Sequence, residues 1–68
     1  MSEISLKIGS IIRKRRMELD ITQEMLALQC NMDRSYMGRI ERGEVNLTVE
    51  KLYMIAKVLA VDVKQLLP

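Results

Sequence analysis

The 68-residue sequence contains no histidine, no tryptophan and a single cysteine, Cys30. Without histidine the chain lacks the most frequent general base and a common metal ligand. One cysteine allows neither an internal disulfide nor a four-cysteine metal site, so we interpret Cys30 as a small buried apolar residue in a reducing compartment. These absences argue against an enzyme, and the sequence predicts neither a metal nor any other cofactor.

Long apolar runs are also absent, since none approaches the roughly 20 residues that a membrane span needs. The first residues lack the basic-then-apolar order of a signal peptide, so we expect a soluble, cytoplasmic protein with no membrane partner. A chain of this length is expected to form one domain that buries roughly 60% of the unfolded surface. The net charge of +2 indicates an anionic partner only weakly, because the position of the charges matters more than their sum.

Apolar residues recur at helical spacing along nearly the whole chain, and no strand candidate competes with them. The first helix is expected over about residues 4–19, with Ile8, Ile12, Arg16 and Leu19 on its inner stripe. Cap residues begin the four others: Thr22, Asp33, Thr48 and, for a short last helix that ends at Leu67, Asp62. On the fourth helix the expected buried stripe is Leu52, Ile55, Ala56 and Leu59. The sequence therefore predicts an all-α fold, a single five-helix domain over residues 1–68.

Residues 22–42 have the spacing of a helix-turn-helix, in which two helices meet at a steep angle across a turn of three or four residues. Ala27 supplies the small side chain needed where the helices touch. Asn31 tolerates the left-handed backbone that the turn requires. The sites around the contact are apolar: Leu26, Cys30, Met32, Met37 and Ile40. Each feature is common alone, but all of them in register with the caps form a specific signal.

Over residues 8–67 the chain resembles the Cro/phage-repressor (Xre-like) family of bacterial helix-turn-helix regulators. The resemblance rests on Ile12, Arg13 and Arg16, and on the segments 21–27, 40–43, 46–48 and 55–57. Segments 33–36 and 41–44 look most like the controller proteins of restriction–modification systems. The resemblance implies a lambda-repressor-like helix-turn-helix fold and binding to operator DNA as a homodimer.

The sequence departs from the family pattern at three positions. The family usually has glycine where Asp20 and Asn31 stand, and both of these residues tolerate the left-handed backbone that glycine adopts. The controllers often have arginine where Val45 stands. The first two departures leave the expected fold unchanged.

The third helix is expected to turn a basic face outward. Projected at about 100° per residue, it places Tyr36, Met37 and Ile40 inward. The opposite arc offers three guanidinium groups and a hydroxyl with no acidic counterpart: Arg34, Ser35, Gly38, Arg39 and Arg42. Because an α-helix fits the major groove, where guanine offers two acceptors to a guanidinium fork, this face predicts contact with double-stranded DNA.

The predicted DNA-binding residues are Gln23, Arg34, Ser35, Tyr36, Arg39, Arg42 and Asn46. Arg34 is expected at base edges or the adjacent phosphate, and Ser35 and Tyr36 at bases or the thymine methyl. Arg39 is expected to read guanine, whereas Arg42 lies further along and meets phosphate. Gln23, in the first turn of the second helix, is expected at a phosphate, and the resemblance implies the same contact. Asn46 is a weaker phosphate candidate, since turn formation or capping explains it equally well.

The basic run 13–16 divides into two parts. Arg13, Lys14 and Arg15 are expected to point outward and to add diffuse attraction to DNA. Arg16 lies on the inner stripe of the first helix, and the resemblance pairs it with Glu41 in a partly buried ion pair. We therefore expect Arg16 to be structural.

A dimer is expected because one recognition helix reads only a few base pairs. Two-fold symmetry would place two such helices about 34 Å apart on half-sites one turn apart. The apolar side chains on and near the fourth helix cover a wider arc than the one stripe that faces the core. The candidate interface is Leu47, Val49, Tyr53, Val63 and Leu67, with Ala60 beside them. The alternative is that all of these close the small core.

The sequence thus predicts a sequence-specific transcriptional regulator that binds double-stranded operator DNA as a homodimer. RNA polymerase is a further candidate partner, and no small-molecule ligand is expected. A restriction–modification controller fits, and a phage-type repressor or an antitoxin regulator fits almost as well. The alternative from another class is a helical protein-interaction module that kept the fold without binding DNA, and the outward arginines argue against it.

Overall fold

A computed structural model describes residues 2–68, which fold into four α-helices and one short 3₁₀ helix. The α-helices are α1 (Glu3–Glu18), α2 (Gln23–Gln29), α3 (Arg34–Glu41) and α4 (Val49–Val58), and the 3₁₀ helix is Val63–Leu66. Among these residues there is no strand, as the sequence predicts. Within the same range, every helix is too short or too polar to span a bilayer.

The prediction of a fifth α-helix is wrong, because the last element closes i→i+3 hydrogen bonds instead. The N–H groups of Gln65 and Leu67 donate to the carbonyls of Asp62 and Lys64, at 2.9 and 3.3 Å. Asp62 caps the element as expected, accepting from the backbone N–H of Lys64 at 2.9 Å. Leu67 is extended (φ −97°, ψ 140°) because the following Pro68 disfavours helical backbone, so only four helical residues fit.

The helix starts follow the cap chemistry with one exception. The side chains of Thr22 and Thr48 accept from the N–H groups of Met25 and Lys51, at 3.0 and 3.2 Å. Asp33 occupies the cap position of α3, but its side chain makes no cap hydrogen bond, contrary to the expectation. Its carboxylate is exposed to water, which solvates it directly, and its charge still lies at the positive end of the helix dipole.

All four α-helices end in the same way, with a left-handed residue directly after the C-cap. These residues are Asp20, Asn31, Gly43 and Ala60, with φ of 58°, 60°, 76° and 56°. After α2, for example, Asn31 donates to the carbonyl of Leu28 and the next residue, Met32, donates to that of Ala27. This pair of hydrogen bonds is the Schellman motif, and it satisfies carbonyl groups that the helix leaves without a partner. The turns expected at Asp20 and Asn31 are confirmed.

The core lies where the helices meet, and its members are Ile12, Leu26, Ala27, Cys30, Met37, Ile40, Leu52, Ile55, Ala56, Leu59 and Leu66. The predicted inner faces of α2 and α4 are therefore confirmed. Leu19 is an exception: it is the C-cap of α1 and is exposed, because the helix ends before its stripe returns to the core. Burial raises the pKa of the Cys30 thiol, consistent with an apolar role.

α1 and α3 touch at Gly9 without an intervening side chain. A Cβ atom at this position would overlap the carbonyl oxygen of Ile40 and lie 2.7 Å from that of Glu41. The contact fixes the position of the end of α3 relative to α1.

Candidate nucleic-acid interface

The helix-turn-helix is formed by α2, the turn at Asn31 and α3. Ala27 is buried at the contact between the helices, and its carbonyl accepts the N–H of Met32 at 2.8 Å. Cys30 and Met37 are buried beside it. These contacts form the helix-turn-helix that the sequence predicts.

The rotation of α3 about its axis is set by its buried side. Met37 is fully buried and Ile40 nearly so, which confirms the predicted inner face. Arg34, Ser35 and Arg39 are exposed on the outer side. The helix therefore presents these groups to solvent from a backbone that the core holds in place.

Gly38 was expected on the exposed arc, and the structure buries it. The side chains of Arg42 and Gln23 cover it, since a Cβ atom there would lie 3.1 Å from Arg42 Nη1 and 3.6 Å from Gln23 Oε1. A helical projection counts only the direction of the residue itself, so it misses neighbours that fold over a position without a side chain.

The outer arc has an acidic counterpart, contrary to the expectation. Glu44, just beyond the end of α3, lies 2.8 Å from Arg42 Nε and 3.8 Å from Arg39 Nε. The hydrogen bond from Arg42 lowers the pKa of the Glu44 carboxyl, and the same bond raises the pKa of Arg42. The prediction failed because it considered only residues within the helix, while the turn at Gly43 brings Glu44 back beside it.

Tyr36 is half-buried at the edge of α3, where it contacts α4. Lys51 Nζ donates to the Tyr36 hydroxyl at 3.1 Å and lies 4.6 Å from the centre of its ring. An ammonium group over an aromatic face is attracted by the electron-rich ring. A phenolic hydroxyl that accepts one hydrogen bond can also donate one. Sequence reasoning missed Lys51, because no local pattern links residues 15 positions apart.

Gln23 joins the ion pair beneath the interface. Arg16 Nε and Nη2 lie 2.7 and 3.1 Å from the two carboxylate oxygens of Glu41, and Arg16 Nη1 donates to the carbonyl of Ile21 at 2.8 Å. Gln23 Nε2 donates to the same carboxylate at 3.0 Å. The pairing of Arg16 with Glu41 that the resemblance implies is confirmed, and the half-buried Gln23 joins this network beside Gly38 of α3.

Asn46 lies in the loop before α4. Its side chain is exposed, and its Oδ1 accepts a hydrogen bond from Ser5 Oγ at 3.0 Å. The residue therefore ties the loop to the start of α1, a structural role of the kind that the sequence left open.

The basic run on α1 is only partly as expected. Arg13 and Lys14 are exposed, but Arg15 is half-buried and its Nε donates to the carbonyl of Leu59 at 3.1 Å. Arg15 also lies 3.6 Å from Glu18. The expectation that Arg15 points outward is wrong, because the free carbonyls at the end of α4 attract its guanidinium group.

The candidate dimer residues divide into exposed and half-buried members. Val49, Tyr53 and Leu67 are 69%, 58% and 45% exposed. Leu47 and Val63 pack partly against the core. Ala60 lies in the left-handed turn after α4 rather than on the helix face. The first three thus leave apolar surface uncovered in a single chain.

Comparison with known proteins gives consistent matches. A family model described as "Helix-turn-helix" matches residues 12–66. Control protein C.BamHI of Bacillus amyloliquefaciens is 36% identical over 67 residues, which cover 97% of this chain and 83% of that protein. The crystal structure of the restriction-modification controller protein C.AhdI from Aeromonas hydrophila has 33% identity and a TM-score of 0.86, covering 90% of this chain and 92% of that one. The wild-type restriction-modification controller protein C.Esp1396I is 42% identical with a TM-score of 0.84, covering 91% of this chain and 80% of that one. The similarity therefore extends well beyond the helix-turn-helix.

Proposed function

The chain belongs to the Xre-like helix-turn-helix family, and from that premise we propose that it is a sequence-specific, DNA-binding transcriptional regulator. Residues 1–68 act as one DNA-binding domain that occupies an operator as a homodimer. The observation that carries the proposal is the outer side of α3, where exposed guanidinium groups stand on a helix whose opposite side is locked in the core. The function is regulatory rather than catalytic.

The positions of the outer residues support a role for each of them. Arg34, Ser35 and Arg39 enter the major groove with α3, and Arg39 donates to guanine. Tyr36 donates its hydroxyl proton to a DNA acceptor beside them. Arg42, in the C-cap of α3, meets backbone phosphate.

Two residues outside α3 add phosphate contacts. Gln23 Nε2 has two N–H groups, and with one of them on Glu41 the other is left for a phosphate oxygen. Asn46 likewise accepts from Ser5 through Oδ1, which leaves its amide N–H groups as donors. Such contacts position the protein on the duplex without reading sequence.

The dimer forms through the uncovered apolar side chains of α4 and the C-terminal segment. Val49, Tyr53 and Leu67 supply the exposed part of the interface, and Leu47 and Val63 support it from the core side. Tyr53→Arg is expected to yield monomers in analytical ultracentrifugation at tens of micromolar. A dimer that persists in this variant would show that the interface lies elsewhere.

The regulator is proposed to control a restriction–modification system. The relatives that support this are C.BamHI, C.AhdI and C.Esp1396I, whose names describe control proteins. RNA polymerase is the proposed further partner at the promoter. The operator is expected upstream of the chain's own gene or of neighbouring restriction and modification genes, and an operator beside phage or toxin genes would contradict this assignment.

Selection of bound duplexes from a random DNA pool tests the function directly. We expect an enriched sequence with two-fold symmetry and half-sites about one helical turn apart. The affinity for it should fall with salt at a slope of roughly −0.9 per phosphate contacted, in a plot of log K against log salt. No enrichment together with a flat salt response would indicate a protein-interaction module instead.

Substitutions separate base reading from positioning. Arg39→Ala should cost about 1–3 kcal/mol of binding free energy on the selected duplex and relax preference at one base pair. Gln23→Ala should weaken binding to all sequences alike. Arg13→Ala is the matched control, because it removes one exposed positive charge outside the interface. If Arg13→Ala lowered affinity as much as Arg39→Ala, binding would depend on diffuse charge alone.

A further inference from the structure

We propose that Glu44 determines specificity by holding Arg39 in position for guanine in operator DNA while screening the charges of Arg39 and Arg42 from other DNA. This inference rests on the proposed function and concerns a residue that the DNA-binding set does not include. Glu44 Oε2 accepts a hydrogen bond from Arg42 Nε at 2.8 Å, and Glu44 Oε1 lies 3.8 Å from Arg39 Nε in a longer ion pair.

The position of Glu44 is fixed by the backbone. Its N–H donates to the carbonyl of Arg39 at 2.9 Å, and that of Gly43 donates to Ile40 at 3.0 Å. Gly43 has φ of 76°, and a Cβ atom there would lie 2.6 Å from the Cα atom of Leu6. Because the turn is both hydrogen-bonded and packed against α1, the Glu44 backbone has little freedom to move away from α3.

Both ion pairs use the Nε side of the arginine. The Nη groups of each guanidinium therefore remain as donors that can meet guanine or phosphate. Arg42 Nη1 lies over Gly38, where the missing side chain leaves room for it. Glu44 and Gly38 together hold this long side chain along the outer surface of α3.

Holding these side chains should affect operator and non-operator DNA in opposite ways. Because Glu44 restricts Arg39, this side chain loses less conformational entropy when it donates to guanine, a contact that other sequences do not offer. Non-specific binding depends mainly on the total positive charge near the phosphates, and the carboxylate reduces that charge. Glu44 is thus expected to favour the operator and to disfavour other sequences.

The test measures affinity by fluorescence anisotropy on two duplexes, one selected from the random pool by the wild-type protein and one with the same bases scrambled. Glu44→Gln should raise affinity for the scrambled duplex about two- to fivefold, a factor that corresponds to the interaction energy of an exposed ion pair. Its affinity for the selected duplex should be equal to that of the wild type or lower. The affinity for the selected duplex divided by that for the scrambled duplex should therefore fall by about twofold to fivefold or more. The difference between wild type and Glu44→Gln should shrink as the salt concentration rises.

Two further variants separate position from charge. Glu44→Asp keeps the charge but shortens the side chain, so it should lower affinity for the selected duplex while leaving the scrambled duplex near the wild-type value. Glu18→Gln is the charge-matched control, since Glu18 pairs with Arg15 on α1, in a groove lined by α1 and the C-terminal segment. It should leave the ratio unchanged.

The outcomes that overturn the inference are distinct from failure of the proposed function. Equal gains on both duplexes in Glu44→Gln would show a diffuse charge effect, and equal losses with an altered circular dichroism spectrum would show a structural role. Either result removes the specificity role while sequence-specific binding stands. If the wild-type protein itself binds both duplexes alike, the proposed function is wrong and the inference falls with it.

Discussion

Neutralising Glu41 should destabilise the domain strongly, because its carboxylate is the centre of a buried network. The side chains of Glu41 and Arg16 are only 2% and 12% exposed. Three hydrogen bonds reach the carboxylate, two from Arg16 and one from Gln23, at 2.7 to 3.1 Å. Glu41→Gln keeps the volume but replaces one acceptor by an N–H donor, so a buried donor must face another donor.

The expected cost is about 3 kcal/mol of unfolding free energy. Breaking a buried ion pair costs about 3–5 kcal/mol, and the lower end applies because the amide keeps one acceptor oxygen and Arg16 keeps its bond to Ile21. A chain of this length has a total stability of about 3–10 kcal/mol, so the loss is large. With a urea m-value of about 1 kcal/mol/M, the unfolding midpoint should fall by about 3 M.

Urea unfolding followed by circular dichroism measures this change, at one fixed protein concentration because dimerisation adds to stability. The control is the double variant Arg16→Met with Glu41→Leu, which removes both charges and should lie within about 1 kcal/mol of wild type. It should also weaken DNA binding for all sequences, since Gln23 loses its acceptor. A cost below about 1 kcal/mol for Glu41→Gln would refute the reasoning, because the pair would then behave as an exposed one.

Three other predictions concern single sites. Ala60→Gly should stabilise the protein by about 1 kcal/mol and raise Tm by about 4–8 °C in a thermal melt, because Ala60 has φ of 56°; an unchanged or lower Tm would contradict this. Since burial raises the pKa of the Cys30 thiol, it should react slowly with a thiolate-directed reagent in the native protein and fast in urea, whereas equal rates would mean that the thiol is accessible. The folded-state pKa of Glu44 is lowered below its usual 4.5 by Arg42, so the ion pair stabilises the fold at neutral pH and is lost as pH falls through the lowered value. The stability difference between wild type and Glu44→Gln should therefore disappear in acid, and a constant difference across pH would contradict the pairing.

The sequence predicted those parts of the fold that depend on neighbouring residues. The caps at Thr22 and Thr48 and the left-handed turn at Asn31 were predictable because a few adjacent atoms determine them. The buried sides of α2 and α4 followed from helical periodicity in the same way. The short 3₁₀ helix was not predicted because the effect of Pro68 on the residue before it was left out of account.

The candidate site was predicted less completely, because some of its contacts join distant parts of the chain. Lys51 contacts Tyr36 across 15 residues, and Arg15 contacts Leu59 across 44. Glu44 is close in sequence to α3, but its place beside the arginines depends on the direction of the chain after Gly43. Helical periodicity describes residues within one helix and contains no information on any of these contacts.

The contact at Gly9 has a consequence for how such a regulator can change its operator. Two helices separated by side chains can shift by repacking, but here peptide groups of α3 meet α1 directly, so the two helices move as one unit. In the proposed dimer, the spacing between recognition helices is then set by the subunit interface alone. A change to a differently spaced pair of half-sites is therefore expected to arise from substitutions around α4 and not from within the helix-turn-helix.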